Sequence, residues 1–113
     1  FYSKNFTMNV EIDPIEIGNT DDIEVGTVEN FEYDDNNYAI FHLETGFFAT
    51  QGNCNCEENA LLSEAEIEED ELECVSCGTS YSIVSGDCIS SPELDGLRIY
   101  DITEEDEKIF LII

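Results

Sequence analysis

Four of the five cysteines in this chain fall in two tight pairs, Cys54-Asn55-Cys56 and Cys74-Val75-Ser76-Cys77, with 17 residues between the pairs. A thiolate is a soft ligand. Four of them complete a tetrahedral zinc or single-iron site, or hold a [2Fe-2S] cluster. For that chemistry each pair must occupy a tight turn, so that its sulfurs converge while backbone N–H groups face them. Small or polar residues fill both turns, and Gly78 follows the second pair, where a side chain would hinder close approach of the backbone. The spacing points to a metal without saying which one. A secreted disulfide framework would normally show an even cysteine count at scattered spacings. Five cysteines, four of them in close pairs, instead favour a metal site in a reducing compartment. Cys88 is left over and is expected to be a small packed residue near a turn.

The elements that must position these turns are short strands. Val10-Glu11-Ile12-Asp13 and Ile15-Glu16-Ile17 alternate as a half-buried strand does. Thr20 to Ile23 with Gly26 is a turn, and Val28 to Tyr33 is a second strand. Asp34-Asp35-Asn36-Asn37 is a hairpin loop, because Asp and Asn tolerate left-handed backbone and bond their own chain. Tyr38 to Leu43 and Phe47 to Thr50 flank a hairpin at Thr45-Gly46. Ala60 to Leu72 has apolar residues every five positions (Leu62, Ile67, Leu72), which fits neither a helix nor a strand. It is expected to be irregular, leading into a strand at about Glu71 to Cys74. Tyr81 to Val84, a Gly86 turn, Leu97 to Ile102, an acidic turn at Glu104 to Glu107 and Lys108 to Ile113 complete the chain. Short strands at this spacing predict an all-β fold, an antiparallel sandwich or small barrel.

Composition excludes several partners. The 113 residues include 28 Asp and Glu against 3 Lys and Arg, a formal charge of −25. Nucleic acids and anionic membrane surfaces both require clustered Lys and Arg, so neither is a partner. A hydrophobic content of 42% is still enough for a compact core. No apolar run approaches the ~18 residues of a membrane span, so a soluble protein without membrane insertion is expected. Phe1-Tyr2-Ser3-Lys4 has no apolar h-region of a secretory signal. The cytoplasm is the expected compartment, with a processed mitochondrial protein as the alternative. Nine acidic residues and no base lie between Glu57 and Glu73, in the loop joining the cysteine pairs. They are either a solvated face or a docking surface. Acidity of this degree is also how halophilic proteins keep a hydrated surface in strong salt.

From about Val10 to Ile113 the sequence resembles a Rieske-type [2Fe-2S] ferredoxin domain. Such domains carry a C-x-H pair, then some 17 residues on a C-x-x-H pair followed by Gly, an aromatic, a Thr/Ser-Gly turn and a late Pro. Here Cys54-Asn55-Cys56, Cys74-Val75-Ser76-Cys77-Gly78, Tyr81, Ser85-Gly86 and Ser91-Pro92 stand in that order. Ala60-Leu61-Leu62-Ser63-Glu64 resembles the segment after the first loop, and Leu97 to Tyr100 with Ile109 to Leu111 fits the closing hairpin. The resemblance implies an N-terminal tail at 1–9 and a single domain over 10–113, with cluster-binding loops at about 52–60 and 74–81. Cys54 and Cys74 would ligate the inner iron and Cys56 and Cys77 the outer one, backed by Gly78, Thr79 and Tyr81. The departure is that cysteine stands at both histidine positions and Asn55 replaces the usual proline. His42, the only histidine, is expected to be an ordinary strand residue.

An oxidised [2Fe-2S] core is a dication. Two thiolates and two neutral imidazoles neutralise it, whereas four thiolates leave a dianion. The resemblance therefore implies a potential below the about −150 to +300 mV of Rieske centres, toward the about −400 mV of four-cysteine ferredoxins. Thr79 and Tyr81 lie where high-potential members place hydroxyls on cluster sulfurs, and oppose this trend more weakly than the added anions drive it. The implied function is a soluble one-electron carrier between a flavin reductase and an oxygenase or other redox enzyme, each with a basic docking face. It is not itself an enzyme: no nucleophile–His pair, phosphate loop or calcium loop is present. The alternative is a Rieske-fold structural, adaptor or accessory subunit holding zinc or one iron.

Overall fold

The computed structural model describes residues 14–112 apart from positions 57, 92 and 94. The expected tail at 1–9, the strand residues Val10 to Asp13, the Pro92 landmark and Ile113 lie outside the described residues. The described residues form nine strands: β1 (Ile15–Asn19), β2 (Thr27–Tyr33), β3 (Asn36–Leu43), β4 (Gly46–Gln51), β5 (Glu66–Glu68), β6 (Glu71–Glu73), β7 (Ser80–Ser82), β8 (Ile99–Glu105) and β9 (Lys108–Ile112). Two single 3-10 turns, Thr20–Asp22 and Leu62–Glu64, are the sole helical segments among them. The fold is all-β, as expected.

Six strands pair antiparallel in the order β1-β9-β8-β4-β3-β2 and curl into a near-closed barrel. Its edge strands face each other across a narrow groove lined by Ile17 and Asn19 on one side and Asn30 and Phe31 on the other. A smaller sheet, β5-β6-β7, stands apart and carries the second cysteine pair between β6 and β7. The strand β3 joins the two halves. Its run Tyr38-Ala39-Ile40-Phe41 has no polar alternation, the pattern of a strand buried on both faces. Tyr38 and Ile40 pack inside the barrel with Ile23, Phe47, Ala49, Ile109 and Leu111. Ala39, Phe41 and Leu43 face the other way, into a second core with Leu62, Leu72, Tyr81 and Ile83. That second core includes Cys54 and Cys74, so packing that holds the barrel together also fixes the roots of both cysteine loops.

Two-residue turns close the hairpins. Asp34 and Asp35 both take left-handed backbone, at φ 53° and 68°, and so do Asp106 and Glu107, at 54° and 66°. This is the geometry that matches strand twist in a two-residue loop. Because the second turn is that short, β8 runs on to Glu105, which pairs with Lys108, rather than ending near Ile102.

The segment 60–72 differs most from expectation. After the 3-10 turn at Leu62 it forms a hairpin, β5–β6, in which Ile67 pairs with Leu72. The five-residue recurrence is thus neither helical nor strand-like because it spans a turn: the two apolar residues sit opposite each other on one face. The turn is at Glu69, with φ 58°, and Asp70, where no Gly or Asn marks it. The outer face pairs Glu66 with Glu73 and Glu68 with Glu71. Like charges directly opposite destabilise a ribbon, so burial of Leu72 beneath them holds it in place.

Candidate metal centre

The first cysteine loop hangs from the end of β4. The Gly52 N–H donates to Asn37 O (2.8 Å) and its carbonyl accepts from Leu62 N–H (2.8 Å), which ties both arms of the loop to the second core. Cys54 N–H donates to Ala60 O (2.8 Å) and Asn59 N–H to Cys56 O (2.9 Å). Asn59 takes left-handed backbone at φ 54°, and Asn53 Nδ2 donates to its carbonyl (2.9 Å). The outcome is a closed loop with Cys54 turned into the core and Cys56 half-buried at its rim.

The second loop is tighter. Gly78 N–H donates to Cys74 O (2.9 Å), and Cys74 N–H donates to Thr79 O (2.9 Å), so the chain reverses within one turn. Gly78 sits at φ 74°, a left-handed conformation that a side chain would strain. Cys74 is buried and Cys77 is exposed, the same inner-and-outer arrangement as in the first loop.

The fold brings the two loops together. All four sulfurs lie within 4.8 Å of one another, with Cys54 Sγ 3.7 Å from Cys77 Sγ. The five cysteines are free thiols. Cys54 at the root and the two rim cysteines differ in acidity. Burial pushes the Cys54 thiol up to about 12. Hydrogen bonding to the Thr79 hydroxyl, then its backbone, brings Cys77 down to about 6, with Cys77 Sγ and Thr79 Oγ1 3.2 Å apart. The Cys56 thiol is also lowered, chiefly by the Ala60 backbone N–H. The metal-binding form of cysteine is the thiolate, which these surroundings favour at Cys56 and Cys77 and burial disfavours at Cys54. Tyr81 is buried with its hydroxyl 3.9 Å from Cys54 Sγ, and burial raises its phenol above the ordinary value. Both expected hydroxyls therefore reach sulfurs of this group.

The remaining candidates fall elsewhere. His42 lies on β3, half-buried, with Nδ1–H donating to Ile23 O (2.6 Å) and its ring stacked on Phe47 at 3.9 Å. It is a strand residue and has no part in the sulfur group. Cys88 is buried, bridged to Tyr81 in the second core.

A profile of the Rieske [2Fe-2S] domain matches residues 13–101, most of the chain. This chain belongs to the Rieske [2Fe-2S] domain family. The Rieske chain is 29% identical over 76 residues to the ferredoxin subunit of 3-phenylpropionate/cinnamic acid dioxygenase from Photorhabdus laumondii, covering 66% of this chain and 71% of that one. It is 26% identical over 91 residues to the biphenyl dioxygenase ferredoxin subunit of a Pseudomonas species, covering 80% and 84%. Both are ferredoxin subunits, in keeping with a carrier rather than an enzyme. Among solved structures, the ferredoxin of carbazole 1,9a-dioxygenase from Nocardioides aromaticivorans shares the fold with a TM-score of 0.78 at 18% identity, over 87% of this chain and 95% of that one. The ferredoxin of Sphingomonas yanoikuyae does so at 0.79 and 19%, over 89% and 99%. Against the Rieske pattern, Cys56 and Cys77 stand at the two histidine positions.

The donor set of this Rieske domain fits a soft metal. Four sulfurs and no competing carboxylate make up the group. The 3.7 Å between Cys54 Sγ and Cys77 Sγ is close to a tetrahedral edge, which is about 3.8 Å for metal–sulfur bonds of about 2.3 Å. The same four residues would hold either a single metal ion or a [2Fe-2S] cluster.

Sequence reading missed the amides around the first Rieske loop. Gln51 Nε2 donates to Asn53 O (2.7 Å) and to Asn55 Oδ1 (2.9 Å), and Asn55 Nδ2 donates to Gly96 O (3.1 Å). The density of Asn and Gln between positions 51 and 59 was the available signal, but the partner of Asn55, Gly96, lies 41 residues away. No helix among the described residues is long and apolar enough to cross a membrane.

Proposed function

We propose that this Rieske domain is a one-electron carrier whose cofactor, a [2Fe-2S] cluster, is held by Cys54, Cys56, Cys74 and Cys77. The observation that carries the reading is the convergence of four cysteine sulfurs, from two loops of one Rieske fold, within 4.8 Å. When bound, such a cluster supplies reversible one-electron redox chemistry. The chain supplies the rest, with loops 52–60 and 74–81 as the cofactor-binding part of a single domain spanning 10–113. Buried Cys54 and Cys74 anchor the inner side, and Cys56 and Cys77 form the outer side that a partner approaches. Thr79 and Tyr81 place hydroxyls on sulfurs and raise the potential, whereas four thiolates in a chain of charge −25 lower it by more. The result is a low-potential carrier. With no imidazole ligand to lose a proton, its midpoint is flat between about pH 7 and 9.

A second reading rests on the sulfur spacing, which suits a single zinc or iron and an adaptor or accessory role. Metal and sulfide analysis of anaerobically purified protein decides between them. The carrier reading expects two irons and two sulfides per chain and a brown colour. One zinc and a colourless protein, or one iron without sulfide, overturns it.

The relatives named above are dioxygenase components, and one neighbour with the same fold was solved as a complex of reduced oxygenase and oxidised ferredoxin. The proposed partners are accordingly a flavin reductase and an oxygenase, met in a reducing compartment, most simply the cytoplasm. The carboxylates of β5–β6 run from Glu73, next to Cys74, to Glu69 and Asp70 at the far end of the ribbon, a surface that would steer a basic docking face. Reduction of cytochrome c, a basic acceptor, should slow at least about tenfold between low salt and about 0.5 M. A rate indifferent to salt would rule steering out.

A further inference from the structure

We propose that Gln51 and Asn55 are positioning residues that set the separation of the two cysteine loops, acting through the backbone at Gly96 and Gly86 rather than through any sulfur. The inference rests on the four-cysteine site described above and adds the device that spaces it. Gln51, the last residue of β4, has both amide N–H groups and its carbonyl oxygen engaged. Its Oε1 accepts from Arg98 N–H (2.8 Å), and its Nε2 donates to Asn53 O and Asn55 Oδ1 on the first loop. Gln51 N–H in turn donates to Arg98 O (2.9 Å), so one residue binds the segment leading into β8 by both backbone and side chain. Asn55, between the two cysteines of the first pair, donates to Gly96 O (3.1 Å) and closes a ring through Gly96, Leu97 and Arg98.

That ring continues to the second loop. Leu97 N–H donates to Gly86 O (2.7 Å), and Gly86 N–H donates to Ser82 O (2.8 Å) on β7, the strand that begins just after Thr79. The two glycine segments touch without room for a side chain: a Cβ at Gly96 would lie 2.3 Å from Gly86 O. Hydrogen bonds joined by the backbone of Gly96, Leu97 and Gly86 therefore connect Asn55 to β7. Asn55 is exposed, so core packing does not account for these contacts. Groups that directly orient metal-ligating side chains change metal affinity about 10–100-fold when removed, and these amides act one step further out, on the loop backbone.

The test uses the full chain with Asn55→Ala, Gln51→Met, which keeps length and volume, and the double variant. Asn36→Ala, whose side chain among the described residues bonds only Asp34 O, is the control. The first readout is hydrogen exchange of the first-loop amides Cys54 and Asn59, which needs no cofactor. The second is the rate at which bipyridyl removes iron from protein reconstituted with ferrous iron and sulfide. Expected are exchange and iron loss each about tenfold faster or more in both single variants, an unchanged β-sheet spectrum, and a double variant no worse than the worse single. Exchange within twofold of wild type, or single effects that multiply in the double variant, overturns the positioning role. Wild-type protein that binds no iron overturns the cofactor reading instead, while hydrogen exchange still decides the clamp. Should Gln51→Met unfold, Asn55→Ala decides alone, since it removes no core contact.

Discussion

Replacing Cys56 and Cys77 together by histidine should raise the midpoint potential by several hundred millivolts, from near about −400 mV into the about −150 to +300 mV range of two-histidine centres. The two exposed or half-buried cysteines are the ones to exchange, because Cys54 and Cys74 are built into the second core, each about 1% accessible. Each exchange turns an anionic ligand into a neutral one. Two exchanges convert a dianionic oxidised centre into a neutral one, which accepts an electron far more readily. The double variant should also show a potential that falls with pH above about 7, since an imidazole ligand can lose its second proton and a thiolate has none to lose. Protein-film voltammetry of wild type and variant over that pH range checks both points. A rise of less than about 100 mV would show that ligand charge does not set the potential here. Single exchanges should fall between the two.

Gly86→Ala should cost about 3 kcal/mol of stability. Two terms add at this position. The residue sits at φ 83°, where an L side chain costs about 1–2 kcal/mol. Its Cβ would lie 2.3 Å from Leu97 O and 3.0 Å from Ile99 Cγ1, and overpacking of that kind costs about 1–3 kcal/mol. Backbone on both sides leaves no rotamer that relieves the first contact. In a domain whose whole stability is about 5–15 kcal/mol, the loss should lower the thermal midpoint by about 10 °C or more. Gly26→Ala isolates the conformational term, because Gly26 has φ 89° and nothing within 4 Å of a built Cβ. Its effect should stay near about 1 kcal/mol. Equal losses at the two positions, measured by circular dichroism melting of the metal-free proteins, would show that the contact with Leu97 contributes nothing.

Much of the fold was legible because its signals are local. Residue type marked the strand Tyr38 to Leu43 and a hairpin loop at Asp34 to Asn37, although the turn proper is only Asp34-Asp35 and Asn36 and Asn37 belong to β3. Where a local signal was missing, the reading failed. The β5–β6 hairpin takes its left-handed residue at Glu69, a type that does not favour that backbone, so Ile67 and Leu72 looked aperiodic until their pairing was seen. The extent of β8 was misjudged for a related reason: its register is set by β9, not by its own composition.

The candidate site divides the same way. Residue type and spacing alone marked Cys54, Cys56, Cys74 and Cys77 as one ligand set, since soft sulfur chemistry requires few other features. The absence of a second histidine removed the usual imidazole pair before any coordinates were considered. Only the tertiary structure could decide which sulfurs are buried, that Thr79 and Tyr81 reach them, and that amides at 51 and 55 meet a carbonyl at 96. Those features come from the packing of segments distant in the chain, and the energy that selects such contacts depends on the whole core rather than on any short stretch of residues.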